Sequence, residues 1–164
     1  MKIARITLSD RAAGGIYEDA SGPEIERVVQ ELFVEPLEWV RVMLPDDREA
    51  IERSLLNLAD VEQVPLIITT GGTGPGPRDV TPEATRAVLE KELPGFGELM
   101  RMQTYEKVKT AILSRATAGV RGKSLIINLP GRPSSIAECL PLLGPAIAEG
   151  LHHISNHRPA LRIN

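Results

Sequence analysis

A chain of 164 residues with 42% hydrophobic and 25% charged side chains has the makeup of an ordinary soluble domain, long enough to enclose a core. Its formal charge of −3 and the lack of a Lys/Arg block exclude wholesale nucleic-acid binding, and no apolar run approaches the roughly 20 residues of a membrane span. The single cysteine, Cys139, rules out an internal disulfide and fits a reducing cytoplasm; among Ile136, Leu140 and Leu142 it reads as a small core residue, not a nucleophile.

Met1-Lys2 leads straight into the first expected strand, Ile3 to Leu8, with no leader peptide expected. That strand ends in Ser9-Asp10-Arg11, and a loop follows from Ala12 to Ala20. Ser21 is expected to cap a helix, with Pro23 and Glu24 in its first turn at capping-box spacing. Ile25, Val28, Val29 and Leu32 give that helix one apolar face. The second strand, Leu37 to Leu44, ends at Pro45-Asp46-Asp47, where either acid can cap the next helix; there Ile51, Leu55, Leu58 and Ala59 share a face. The strand Leu66 to Thr70 opens on a continuous apolar run, the pattern of a buried parallel strand.

A helix is expected from Thr81 to about Glu92, with Thr81 as N-cap and Pro82 at its first position. Pro94-Gly95 ends it, and a further helix carries Phe96, Leu99 and Met100 on one side. A short extended excursion is expected within Thr110 to Gly122, then a buried strand from Leu125 to Leu129. Ser134 or Ser135 is expected to cap the last helical segment, which Pro141 and Pro145 divide into two short helices. The tail, His152 to Asn164, is polar and basic and expected to be peripheral.

Strands alternating with helices predict an α/β fold: one domain over residues 1–164, a three-layer, doubly wound and mostly parallel sheet with right-handed crossovers. Ligands of such sheets sit beyond the carboxyl ends of the strands. Here four apolar strands run into polar loops: Ser9-Asp10-Arg11, Asp46-Asp47, Thr69 to Asp79, and Asn128 to Ser135. These loops are expected along one edge.

The loop after Leu66 to Thr70 is the most informative. Strand, glycine-rich turn and helix start form a phosphate-binding geometry, because free backbone N–H groups point at the ligand. The known nucleotide motifs fail, however. A P-loop needs Gly-Lys-Ser/Thr, and this loop has no lysine. A dinucleotide fingerprint begun at Gly72 meets Pro77 where it needs glycine; begun at Gly74, it meets Asp79. A carboxylate repels phosphate unless a cation lies between them, so Asp79 points to Mg2+, or else to a simple partner for the following helix dipole. Asp46, from what reads as a neighbouring strand end, is free to share that ion if Asp47 caps the helix. Arg78 and Arg132 stand in equivalent strand-to-helix turns, two cradles suited to several phosphates. All three histidines, His152, His153 and His157, lie in the tail, so histidine base catalysis is not expected. Phosphoryl or nucleotidyl transfer needs none.

Thr69-Thr70-Gly71-Gly72-Thr73-Gly74 with Arg78-Asp79-Val80-Thr81-Pro82-Glu83 resembles the molybdenum-cofactor biosynthesis family that includes MogA, MoaB and the G domain of gephyrin. Ser9-Asp10-Arg11, Tyr17-Glu18-Asp19 with Ser21-Gly22, Pro45-Asp46, Pro94 to Arg101, Ala111 to Arg115 and Asn128 to Gly131 resemble its MogA branch, in order along nearly the whole chain. The resemblance implies transfer of AMP from Mg-ATP to the terminal phosphate of molybdopterin, with release of pyrophosphate, in a cytoplasmic homotrimer that serves a downstream molybdenum-insertion protein. It carries Asp46 and Asp79 over as the essential, metal-holding acids. It makes Thr70, Gly71, Gly72, Thr73, Gly74 and Arg78, with Asn128, Pro130, Gly131, Arg132 and Ser134, the lining for ATP and pterin phosphate, with either ligand in either cradle. Ser9, Asp10 and Arg11 are implied nearby. Gly76 departs from relatives that carry a larger or basic residue there, which predicts a looser loop. A non-catalytic molybdopterin-binding or scaffold module of the same fold is the alternative. A nucleotide-dependent oxidoreductase is disfavoured by the missing fingerprint.

Overall fold

The computed structural model describes residues 1–162. Six strands, β1 (Lys2–Leu8), β2 (Glu38–Leu44), β3 (Leu66–Thr70), β4 (Lys91–Glu92), β5 (Ala118–Arg121) and β6 (Ser124–Leu129), form one sheet in the order β2-β1-β3-β6-β5-β4. The helices are α1 (Asp10–Ala13), α2 (Ser21–Leu32), α3 (Arg48–Leu56), α4 (Thr81–Val88), α5 (Gly95–Tyr105) and α6 (Pro133–Ser155).

Side-chain alternation along the strands builds two cores. Ile3, Leu66, Ile68, Leu125, Ile127 and Leu129 pack against α2, α5 and α6; Ala4, Ile6, Leu8, Ile67 and Ile126 face Ile51 and Leu55 of α3 and Ala84 and Val88 of α4. Fully burying a Leu or Ile side chain is worth about 1.5–3 kcal/mol, so both layers hold the sheet firmly. Cys139 is enclosed in the first core, where burial pushes its thiol up from its ordinary value.

β1, β2, β3 and β6 are mutually parallel, with Thr7 level with Thr70 and Thr70 level with Leu129. Their carboxyl ends therefore form one edge, as the polar loops predict. Within 110–122 only β5 is a strand, folding back antiparallel on β6, whereas Lys109–Leu113 winds into a 3-10 helix instead of extending; β4 closes the sheet.

Several local expectations are corrected. α4 stops at Val88, because Leu89 turns extended and Lys91 and Glu92 pair with β5. Leu99 is partly exposed rather than sharing the buried side with Met100. α6 is one helix of 23 residues, not two. Pro141 and Pro145 are exposed, so the carbonyls they leave unbonded belong to the helix's outer side, where water can reach. The tail is not peripheral: Leu161 bridges Phe33, Val34 N–H donates to Ala160 O, and Pro159 is buried. Ile163 and Asn164, the last part of that segment, lie outside the described residues.

Candidate active site

Two turns meet at the carboxyl edge, one after β3 and one after β6. Gly71 (φ +97°) and Gly72 (φ +65°) take the left-handed backbone that a side chain disfavours. A Cβ on Gly71 would collide with the Leu8 carbonyl oxygen, and one on Gly72 with the Thr81 hydroxyl. Three hydroxyls fix the turns, and the first of them joins one turn to the other. Thr70 Oγ1 donates to Pro130 O at 2.7 Å, Ser21 Oγ to Gly131 O at 2.6 Å, and Thr81 Oγ1 to Gly71 O at 2.8 Å.

Those bonds correct two cap assignments, and the start of α6 corrects a third. Ser21 and Thr81 serve the turns rather than their own helix starts. The Asp19 carboxylate accepts from Gly22 N–H at 2.9 Å in place of a Ser21 cap, and Val80 stands at the α4 N-cap position. The N-cap of α6 is Arg132, not a serine, and Pro133 follows it.

The acids converge on the first turn. Asp47 caps α3 by accepting from Ala50 N–H at 2.8 Å, which leaves Asp46 free of that duty. One Asp46 carboxylate oxygen lies 3.1 Å from where a Gly72 Cβ would stand. The Asp79 carboxylate faces the same loop and accepts from Gly76 N–H at 2.9 Å. The two acids do not come from neighbouring strands, since β1 lies between β2 and β3; it is the loop after β3 that brings them together. Burial pushes the Asp46 carboxyl up from its ordinary value, and the charges of Asp10 and Asp79 add to that, against an opposing hydrogen bond from Asp10 N–H and the charge of Arg78. Among the described residues no group of three or more His, Cys, Asp and Glu could hold a metal ion. Asp46 and Asp79 supply carboxylate oxygens, the donor type that a hard divalent ion such as Mg2+ takes.

The remaining predicted residues divide. Asp10 lies beside Asp46, and Arg78 grips its carboxylate through Nε at 3.0 Å and a terminal nitrogen at 2.9 Å. That hydrogen bond holds the Asp10 carboxyl below its ordinary value. Ser9 caps α1 by accepting from Ala12 N–H at 3.2 Å, and Arg11 lies over the Tyr17 ring at 5.5 Å. Thr73 is buried. Asn128 is a correction: its side chain is fully buried and donates to Thr69 Oγ1 at 3.0 Å and Thr85 Oγ1 at 2.9 Å, so it braces β3 against α4 and does not line the edge. The predicted looseness at Gly76 is also corrected, since the Asp79 carboxylate holds its amide and stands 2.8 Å from where a Cβ would go.

The turn after β6 opens on a cavity of about 330 Å³ lined by Arg101, Thr104, Ser114, Gly131, Arg132 and Ser134. Among the described residues no carboxylate pairs with Arg132. A cavity of about 520 Å³ lies against α5, sharing Arg101 with the first, with Met102 and Ile112 exposed on it.

Sequence reasoning noted Arg115 only as part of a motif. Its backbone N–H donates to Thr73 O at 2.8 Å, its Nε to Gly74 O at 2.9 Å, and a terminal nitrogen to Asp79 O at 2.8 Å; the other terminal nitrogen pairs with Glu83. Burial pushes the Glu83 carboxyl up, but the hydrogen bond and charge of Arg115 outweigh it and leave it below its ordinary value. An arginine directly after a strap of small and apolar residues was the available signal.

A family model described as a probable molybdopterin binding domain matches residues 4–149. The chain belongs to the MogA/MoaB molybdopterin-binding family. Within that family it is 56% identical over 145 residues to the molybdopterin adenylyltransferase of Helicobacter pylori, covering 88% of this chain and 82% of the relative. To the Escherichia coli K12 protein of that name it is 45% identical over 150 residues, covering 92% of this chain and 76% of the other. Its fold matches the crystal structure of the molybdopterin biosynthesis enzyme MoaB from Thermus thermophilus with a TM-score of 0.86, at 39% identity and over 94% of this chain and 96% of that one.

Proposed function

We propose that this MogA/MoaB-family chain, acting as one domain, is a molybdopterin adenylyltransferase that uses Mg-ATP. The observation that carries the site assignment is the meeting of Asp46 and Asp79 at the Gly71–Gly76 loop, beside a second turn that presents Arg132 and Ser134. The terminal phosphate of molybdopterin attacks the α-phosphorus of ATP in line. The new P–O bond forms as the bond to the β-phosphate oxygen breaks, and pyrophosphate leaves. Asp46 and Asp79 would hold Mg2+, which would supply charge neutralisation at the phosphate oxygens.

No protein base is needed, because a phosphate monoester with a second pKa of about 6 is largely ionised at neutral pH. The histidines fit that account. At a rise of about 1.5 Å per residue, α6 carries His152 roughly 30 Å from the turn at Arg132. The two glycine-lined turns orient the phosphates, and Arg132 supplies positive charge at the second cradle. Positioning and charge neutralisation then account for most of the catalysis.

A homotrimer in the cytoplasm completes the reading, with adenylyl-molybdopterin passed to a molybdenum-insertion protein. The exposed Met102, Tyr105, Ile112 and Leu113 offer an apolar surface for self-association. No helix among the described residues is long and apolar enough to cross a membrane. Incubating the purified protein with Mg-ATP and molybdopterin tests the reaction: pyrophosphate and adenylyl-molybdopterin are expected in equal amounts. Molybdopterin binding with no pyrophosphate would instead make the chain a binding module. Sedimentation analysis tests the trimer.

A further inference from the structure

The Gly71–Asp79 loop does not hold itself in place. Its internal bonds are few: Asp79 N–H to Gly76 O at 3.0 Å, Gly76 N–H to the Asp79 carboxylate, and Thr81 N–H to Gly72 O at 3.1 Å. Asp10 holds Arg78 at its tip, and one side chain from elsewhere in the chain spans the loop from one side of that tip to the other. The Arg115 guanidinium takes the carbonyls of Gly74 and Asp79, on either side of the Pro75–Arg78 tip, and anchors both to Glu83 in the first turn of α4. The Arg115 backbone N–H adds the Thr73 carbonyl.

Arg115 is itself fixed from behind. One Arg101 nitrogen, on α5, donates to Ser114 O at 3.2 Å and Ala116 O at 3.0 Å, the carbonyls on either side of Arg115. Gly97 lets α5 lie directly against that strap, since a Cβ there would collide with Ala116 O. A chain of packed contacts thus runs from α5 through the strap to the backbone of Asp79.

We propose that Arg115 is a positioning residue of this site, setting the carbonyl frame of the Gly74–Asp79 loop and thereby the place of the Asp79 carboxylate relative to Asp46. The inference rests on the adenylyl-transfer reading for its effect on turnover, though not for its effect on metal binding. The fork geometry matters as much as the charge. Guanidinium offers five planar donors, and this one reaches two carbonyls and a carboxylate at once; a lysine ammonium cannot span them.

The test uses the full chain with Arg115→Lys and Glu83→Gln. Residues that orient metal ligands typically cost about 10–100-fold in metal affinity or activity when changed. Arg115→Lys is therefore expected to lower kcat by about 10–100-fold, with a smaller change in the KM for molybdopterin. It is also expected to weaken Mn2+ binding, read by electron paramagnetic resonance with a nonhydrolysable ATP analogue, by about tenfold. Hydrogen exchange at the Gly76 and Asp79 amides is expected to accelerate, with the amides of β3 unchanged. Glu83→Gln frees the guanidinium from α4 but keeps its carbonyl contacts, and is expected to give a partial loss of metal affinity. Wild-type Mn2+ affinity and loop exchange in Arg115→Lys overturn the proposal. If Arg115→Lys does not fold, wild-type Mn2+ affinity in Glu83→Gln overturns it. If the unmodified protein binds Mn2+ with nucleotide but releases no pyrophosphate, the adenylyl-transfer reading fails, and the metal-affinity comparison still decides the role of Arg115.

Discussion

Asp10 and Asp46 exchange hydrogen bonds: Asp46 N–H donates to an Asp10 carboxylate oxygen at 2.9 Å, and Asp10 N–H donates to an Asp46 carboxylate oxygen at 3.1 Å. The exchange ties the loop after β1 to the loop after β2. It holds Asp46 in place while leaving its second carboxylate oxygen toward Gly72.

Asp46→Asn and Asp79→Asn should each keep the fold and lose most turnover. On the proposed metal role, removing one of the two carboxylates forfeits a share of several kcal/mol of charge stabilisation, which corresponds to a loss of about 100-fold or more in kcat. Circular dichroism checks the fold and pyrophosphate release checks the rate. Normal AMP transfer by Asp79→Asn would remove its metal role.

The raised carboxyl of Asp46 gives a pH signature. Its folded pKa lies above the ordinary value of 3.8, so its protonated form is favoured by the fold. The stability it contributes is fully present below pH 3.8 and is lost as pH rises through the folded pKa. Without metal, Asp46→Asn should therefore melt above the unmodified protein at pH 7, with the advantage vanishing at pH 3.5 or so. Mg2+ with nucleotide should raise the melting temperature of the unmodified protein more than that of the variant. Melting curves across pH and with Mg2+ read both; an advantage that grows toward acid pH would contradict the sign.

Asn128→Ala separates support from ligand contact. The change removes two buried hydrogen bonds and leaves the Thr69 and Thr85 hydroxyls without them, a cost of about 2–4 kcal/mol. For a chain of this size that lowers Tm by roughly 5–15 °C. Assayed well below that temperature, the variant should keep its KM for ATP. A raised KM with an unchanged Tm would return Asn128 to the pocket lining.

Gly71→Ala and Gly76→Ala should fail differently. At Gly71 the added methyl meets the backbone of Leu8 at a positive φ, so the protein is expected to lose about 2 kcal/mol or more of stability. At Gly76 it meets only the Asp79 carboxylate, which can turn. That variant should melt normally and lose turnover as its acid is displaced. Equal melting temperatures for the two variants would refute the distinction.

Much of this was legible in the chain. Leu66 to Thr70 and Leu125 to Leu129 were plain because central parallel strands are apolar on both faces, and the alignment of their carboxyl ends follows from that topology. Asp79 stood out because an acid is unexpected in a phosphate-type loop, and Asp46 because Asp47 beside it can cap α3. Asn128 misled because a polar residue at a strand end resembles a ligand contact, and only the register against Thr69 shows which face it takes. Ser21 and Thr81 misled for a related reason. A hydroxyl at a helix start usually caps it, but here a turn carbonyl lies within reach and takes the bond instead. Arg115 was hidden because its partners, Gly74, Asp79 and Glu83, are distant in sequence and two of the contacts are to backbone carbonyls. The continuity of α6 was hidden because nothing local to Pro141 and Pro145 reveals that both sit on the outer side.

β2 lies at the margin of the sheet, whereas β3 lies inside it. The pair of acids is therefore suspended between a strand that can fray and one that cannot, and outer strands open at lower free energy than central ones. The molecule carries its own reporter of that imbalance: its one tryptophan, Trp39, sits on β2. Trp39 stands at the amino end of β2, opposite Asp46, so its emission reads the opening of the whole strand, and a divalent ion held by the two acids should slow that opening.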